Sequence, residues 1–188
     1  MNKELPLYQA IIQDEIDGFD LISIVKNPAV EINFLKFDEN KPTQYFSIDV
    51  DKQIVTGVIM LADTPIYRNN LFYGEHYVMF SADTIAQGVE KYFSQNKTNL
   101  MSLNHNNDMI DAVMVESYVY NSKRGITPTE FDVPNGTWMG SFKILDKVVW
   151  NKIKNGANLN GFSIEGIFSQ IPDEDATELA ILKELLEK

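Results

Sequence analysis

Gly161-Phe162-Ser163-Ile164-Glu165-Gly166 is the stretch around which we interpret this chain of 188 residues. Its alternation of large apolar and small or polar residues predicts a β-strand, because successive side chains on a strand point to opposite faces. Phe162 and Ile164 would then point into a core, while Ser163 and Glu165 would share the more polar face. A serine with little bulk around it suits a nucleophile that a substrate must reach. An ordinary half-buried strand can show the same short pattern, so the other residues must decide between the two readings.

The composition excludes several classes of site. The chain has no cysteine, which excludes a thiol nucleophile, a disulfide framework and a cysteine-ligated zinc site. Its formal net charge of −11 predicts a surface that repels phosphate groups, so we expect no nucleic-acid binding. No apolar run reaches about 18 residues, so we expect no membrane span. The aspartates show no metal-ligand spacing and there is no glycine-rich phosphate loop, so we expect no cofactor.

The chain divides into three predicted segments. Residues 1–45 are predicted to be an N-terminal extension with short strands, and residues 46–172 to be the main domain. Residues 173–188 are predicted to form an acidic amphipathic helix whose leucine stripe suits docking or self-association.

The main domain is predicted to have an α+β fold, with a compact, mostly antiparallel β-barrel or sheet core and helices packed outside it. Ser81 and Asp146 are predicted to cap its two helices, and residues 63–70 are predicted to be a polar loop. The predicted strands are 54–62, 77–80, 100–105, 112–120, 137–144 and 161–168.

A serine nucleophile needs a base, and the chain offers two histidines, His76 and His105. His105 lies where a strand ends in an Asn/Asp-rich turn, a position from which a side chain can meet another strand. His76 lies just before a strand and could equally be a structural residue. The residues alone place His105 ahead without excluding His76.

A third residue should orient the imidazole, and the nearby acids are Asp108, Asp111, Glu116 and Glu165. We favour Glu116, because an acid within an apolar strand is often buried with a partner. The two aspartates fit roles in the turn. Glu165 lies only two residues from Ser163, a poor place from which to reach the far side of a histidine.

Six blocks, in a fixed order, carry a family resemblance. They are residues 56–68, 74–81, 99–105, 115–118, 136–139 and 161–166, with residues 21–29 as a lead-in. Together they resemble the XkdF-like phage serine proteases over most of residues 19–168.

This resemblance implies a prohead maturation protease of a tailed phage, with a fold related to the herpesvirus assemblins. Such enzymes place a histidine before the serine on a β-barrel core wrapped by helices, and the histidine block maps onto His105, 58 residues before Ser163. Ser163 is thereby implied to be the nucleophile and His105 the general base. The implied partners are scaffold protein, the major capsid protein precursor, the protease itself and the portal. The implied location is the immature capsid in the host cytoplasm.

Two other functions fit parts of the sequence. A non-catalytic capsid-assembly protein could keep the same fold and bind scaffold or portal through its terminal segments. An α/β-hydrolase esterase is disfavoured, because in that fold the histidine follows the serine.

Overall fold

The computed structural model describes residues 5–26, 28, 46–106, 108–128, 131–155, 159 and 161–174. In chain order its elements are β1 (Leu7–Ile11), β2 (Gly18–Val25), β3 (Phe46–Asp49), β4 (Ile54–Met60), β5 (Ile66–Asn70), β6 (Gly74–Phe80), α1 (Ala82–Ser94), β7 (Met101–Leu103), β8 (Ala112–Val119), a 3₁₀ turn (Ser122–Arg124), β9 (Trp138–Ile144), α2 (Lys147–Lys154), β10 (Gly161–Ile167) and β11 (Ser169–Pro172).

The strands form three sheets. Their orders are β11-β1-β6-β5, β3-β4-β9-β8 and β10-β2-β7, and we call the last of these the site sheet. The strand pairs are antiparallel except β1 with β6 and β2 with β7. The α+β class and the mostly antiparallel pairing are therefore confirmed. None of these sheets closes into a barrel within the described residues.

The strands from the first 26 residues pair with strands of the main domain. β2 is the middle strand of the site sheet, and β1 lies between β11 and β6. Residues 29–45 of the predicted N-terminal extension, and all but residues 173 and 174 of the predicted C-terminal helix, lie outside the described residues.

The predicted polar loop at 63–70 is wrong in its second half, which forms strand β5. β5 pairs in an antiparallel hairpin with β6 and has no partner on its other side among the described strands. A strand at a sheet edge can carry polar residues on both faces, which removes the apolar alternation that identifies a strand in sequence.

Both predicted helix caps are confirmed. The Ser81 side chain accepts a hydrogen bond from the Thr84 backbone N–H, and the Asp146 side chain accepts from Val148 and Val149. α1 packs closely on β2 at Gly88. A Cβ at this position would lie 2.6 Å from the Phe19 ring, so only glycine allows the helix to come this near to β2.

The core fixes which face of β10 points outward. Phe162 is 1% exposed and packs against Phe46 and Phe142, with ring centroids 5.4 and 5.1 Å away. Ile164 is partly buried against the same core. Burying a phenylalanine contributes about 2–3 kcal/mol, so a one-residue shift that exposed Phe162 would be strongly disfavoured. The prediction that Phe162 and Ile164 point inward is confirmed.

Candidate active site

Ser163 lies on β10, directly opposite Ser23 on β2. Ser23 is in turn paired with Ser102 on β7. Directly paired residues in a sheet have side chains on the same face, with Cβ atoms about 5 Å apart. The three serines therefore form a row across the site sheet. Ser163, at the edge of this row, is half-buried, whereas Ser23 and Ser102 are fully buried.

His105 contacts the carboxylate of Glu165. Its Nδ1 lies 2.9 Å from Glu165 Oε1, and both side chains are 42% exposed. The same oxygen accepts a hydrogen bond from Ser23 Oγ at 3.2 Å. Because Ser23 faces Ser163 across the strand pair, this oxygen lies over the row of serines. Ser163, Glu165 and His105 are thus gathered on one face of the site sheet.

The turn after β7 brings His105 back over this face. Asn104 and His105 both have left-handed backbone conformations, with φ of 53° and 57°. Asparagine adopts this conformation readily, but histidine does so at some cost. Such outliers persist where the surrounding structure holds them, and they cluster at functional sites. The backbone N–H of Asn104 anchors the turn by donating a hydrogen bond to the Ile24 carbonyl oxygen.

The carboxylate that meets His105 is therefore Glu165 and not the predicted Glu116. Glu116 lies exposed on β8, in another sheet, where it accepts a hydrogen bond from Ser141 Oγ at 2.6 Å. Although Glu165 is only two residues from Ser163, the left-handed turn folds the imidazole back toward β10, where Nδ1 meets the Glu165 carboxylate.

His76 is completely buried, unlike His105. Its Nδ1 lies 2.8 Å from the Gly74 carbonyl oxygen, which can only accept, so Nδ1 carries the proton. Its ring packs edge-on against Tyr8, with centroids 5.6 Å apart. A substrate cannot reach a base in this position, and the packing suits a structural histidine.

Ser163 also lines a small cavity between β10, β4 and β5, with a volume of about 10 Å³. Among the described residues around it, Arg68 alone carries a charge. Its guanidinium donates to the Tyr67 carbonyl at 3.1 Å, and burial lowers the pKa of the Arg68 side chain. A cation that lines the same cavity as a serine can stabilise negative charge that develops in that cavity. The other lining residues are Ile59, Met60, Ile66, Phe162 and Ile164.

Sequence reasoning missed Ser23 and Arg68. Arg68 lay in the segment predicted to be a loop, where no pattern distinguished it. Ser23 did have a signal, because it alternates with Ile22 and Ile24 as Ser163 alternates with Phe162 and Ile164. Two strands with the same pattern are candidates for neighbours in one sheet.

Within the described ranges the protein has neither a cluster of metal-ligating side chains nor a helix that could span a membrane. No group of three or more histidine, aspartate or glutamate side chains there could hold a metal ion. Neither of the two helices described combines the length and the hydropathy that crossing a membrane requires.

Comparison with protein families gives one match. The model of the family described as "Putative phage serine protease XkdF" matches residues 45–172. The comparisons with curated proteins and with solved structures gave no significant match.

Proposed function

Because this chain belongs to the XkdF family of phage serine proteases, we propose that it is a serine endopeptidase with Ser163 as nucleophile and His105 as general base. The observation that carries the proposal is the 2.9 Å contact between His105 Nδ1 and Glu165 Oε1 on the face that bears Ser163. An ionised carboxylate only accepts hydrogen bonds, so Nδ1 carries the proton and Nε2 keeps its lone pair.

The reaction proceeds through an acyl-enzyme. His105 Nε2 takes the proton from Ser163 Oγ as this oxygen attacks the peptide carbonyl carbon. The resulting imidazolium is stabilised by Glu165 and returns its proton to the leaving nitrogen as the C–N bond breaks. Water then attacks the ester in the same way, releasing the acid and restoring the Ser163 hydroxyl. Arg68 is the group we propose to favour the oxyanion of both tetrahedral intermediates.

The proposed substrates are the scaffold protein, the major capsid protein precursor and the protease itself, with the portal as a further partner. The proposed location is the immature capsid. Family membership supports these assignments, as does the order of His105 before Ser163. An assemblin-like arrangement of the core belongs to the same proposal.

A fluorophosphonate probe tests the nucleophile without a known substrate. An activated serine attacks the probe's phosphorus, so that an Oγ–P bond forms and fluoride leaves. We expect one label, on the peptide that contains Ser163, and loss of the label in Ser163→Ala and His105→Ala. Ser141→Ala is the matched control for removal of a serine hydroxyl and should keep the label.

The substrates are tested by incubation with purified scaffold and capsid-protein precursors. The wild-type protein should cleave them, whereas Ser163→Ala should not, although its unfolding temperature should be unchanged because only one oxygen is removed. Cleavage by Ser163→Ala at the wild-type rate would overturn the assignment of Ser163. Stable binding of the precursors without cleavage by the wild-type protein would favour the non-catalytic assembly function.

A further inference from the structure

Ser23 is the central residue of the row of serines on the site sheet. It lies opposite Ser163 on one side and Ser102 on the other, and it is 0% exposed. It belongs to β2, which precedes the residues 45–172 that the family model matches. The site therefore contains a fully buried hydroxyl from a part of the chain that the family match does not cover.

The partners of Ser23 determine the direction of its hydrogen bonds. Ser23 Oγ has one proton and donates it to Glu165 Oε1 at 3.2 Å. Ser102 Oγ, at 2.6 Å, must then be the donor to Ser23. Hydrogen bonds arranged head to tail in this way polarise and strengthen one another. This series of hydrogen bonds ends on the same carboxylate oxygen that accepts a hydrogen bond from His105 Nδ1.

We propose that Ser23 is a positioning residue that holds Glu165 Oε1 against His105 Nδ1, so that the imidazole keeps its proton on Nδ1. The glutamate side chain has several rotatable bonds and is 42% exposed, so it needs a second anchor to stay on the histidine. The Ser23 hydroxyl supplies that anchor from the buried side. This inference rests on the proposed function for the role of His105 as a base, and it makes β2 part of the active site.

A second network in the protein provides a matched control. Thr56, Ser141 and Glu116 form a row across β4, β9 and β8. Thr56 and Ser141 share a 2.8 Å hydrogen bond, and Ser141 donates to Glu116. Ser141, like Ser23, is 0% exposed and lies on a strand with neighbours on both sides. Among the described contacts, no histidine joins this network. Ser141→Ala therefore repeats the chemistry of Ser23→Ala away from His105.

The test is the tautomer of His105, measured by ¹⁵N NMR at a pH where the imidazole is neutral. A Ser163→Ala background prevents self-cleavage. We expect the Nδ1–H form in that protein and in its Ser141→Ala variant, and a shift toward the Nε2–H form with Ser23→Ala. His76, whose tautomer is fixed by Gly74, should be unchanged throughout and serves as the internal reference. With Ser163 present, Ser23→Ala should also slow fluorophosphonate labelling roughly tenfold, the effect of losing one hydrogen bond to a charged group.

The tautomer is read without activity, so failure of the proposed function and failure of this inference are distinguishable. The inference is overturned if His105 keeps the Nδ1–H form in folded Ser23→Ala protein. If that variant does not fold, Ser102→Ala takes its place, because it removes the donor to Ser23. For Ser102→Ala we expect a smaller shift toward the Nε2–H form. An unchanged His105 tautomer in that variant also overturns the inference.

Discussion

Two glutamates have the same kind of serine partner but differ in whether they also contact a histidine. Glu116 and Glu165 each accept a hydrogen bond from a buried serine, but only Glu165 also contacts a histidine. In the proposed mechanism the Glu165 carboxylate can only accept a hydrogen bond, and it thereby keeps the imidazole proton on Nδ1. This difference between the two glutamates follows from the position of His105 and not from their local sequence.

Glu165→Gln should therefore slow fluorophosphonate labelling by about 10²- to 10⁴-fold. A glutamine amide can donate to Nδ1, which would place the imidazole proton on Nε2, the nitrogen that acts as the base in the proposed mechanism. The tautomer of His105, measured by ¹⁵N NMR, should change together with the labelling rate.

Glu116→Gln is the control, because it makes the same chemical change on a carboxylate that does not contact His105. Its labelling rate should remain within a few fold of wild type. Equal losses in the two variants would show that the glutamates act through stability and not through the imidazole.

At the scale of elements, the pairing of β10 with β2 is interrupted immediately after the site. The register shifts between Glu165 and Gly166, so that Glu165 pairs with Leu21 and Gly166 pairs with Phe19. A Cβ on Gly166 would lie 2.3 Å from the Gly18 carbonyl oxygen, a backbone atom that cannot move without the strand. This glycine allows the two strands to stay in contact through the bulge.

Gly166→Ala should lower the free energy of unfolding by about 1–3 kcal/mol, because β10 and β2 must separate to admit the methyl group. Urea denaturation measures this change. The labelling rate should fall as well, since Glu165 is the preceding residue.

Gly140→Ala is the control for this substitution. Gly140 lies within β9, and its added Cβ would come 2.6 Å from Cδ1 of Ile59, the end of a side chain and not a backbone atom. Gly140→Ala should lower the free energy of unfolding by less than Gly166→Ala does. A larger loss for Gly140→Ala would mean that the contact with the Gly18 backbone does not limit the bulge.

Local patterns predicted most of the elements but not how they pair. Caps at Ser81 and Asp146 and the inward face of Phe162 could be read from a few neighbouring residues, because those features depend on local chemistry. The place of β2 between β10 and β7 depends on residues about 80 and 140 positions apart, and no local pattern records it. The contact of His105 with Glu165 and not with Glu116 likewise depends on a backbone turn at His105 that propensity disfavours.

At the scale of the whole molecule, the turn between β1 and β2 joins several elements. The Asp17 carboxylate accepts from the backbone N–H groups of Gln13 and Asp14, at 2.8 and 3.0 Å. Lys91 on α1 donates to the carbonyl oxygens of Glu15 and Asp17. Asp17 also hydrogen-bonds Ser169, the first residue of β11. This turn therefore connects the β11-β1-β6-β5 sheet, the site sheet and α1.

Asp17 should make the stability of the molecule sensitive to acid. Burial alone would raise the pKa of Asp17, but the hydrogen bonds from Gln13, Asp14 and Ser169 outweigh it and hold the pKa below its ordinary value of 3.8. A carboxyl with a lowered pKa stabilises the folded state above its unfolded pKa, and this contribution is lost as the pH falls through the folded pKa. Asp17→Asn should lower the free energy of unfolding by about 1–3 kcal/mol at pH 7. This difference from wild type should narrow as the pH falls below 3.8, the ordinary pKa of the carboxyl. Urea denaturation at pH 7 and in acid measures this.

Asp63→Asn is the control with the opposite sign. Burial, and then the neighbouring charge of Asp83, raise the pKa of Asp63, so its ionised form destabilises the folded state at neutral pH. Removing that charge should leave the protein as stable at pH 7 or more so, and asparagine tolerates the left-handed backbone at this position, where φ is 49°. A loss at pH 7 as large as that of Asp17→Asn would contradict the assignment, because both aspartates would then act through contacts that do not depend on charge. A gain or no change would agree with the raised pKa of Asp63.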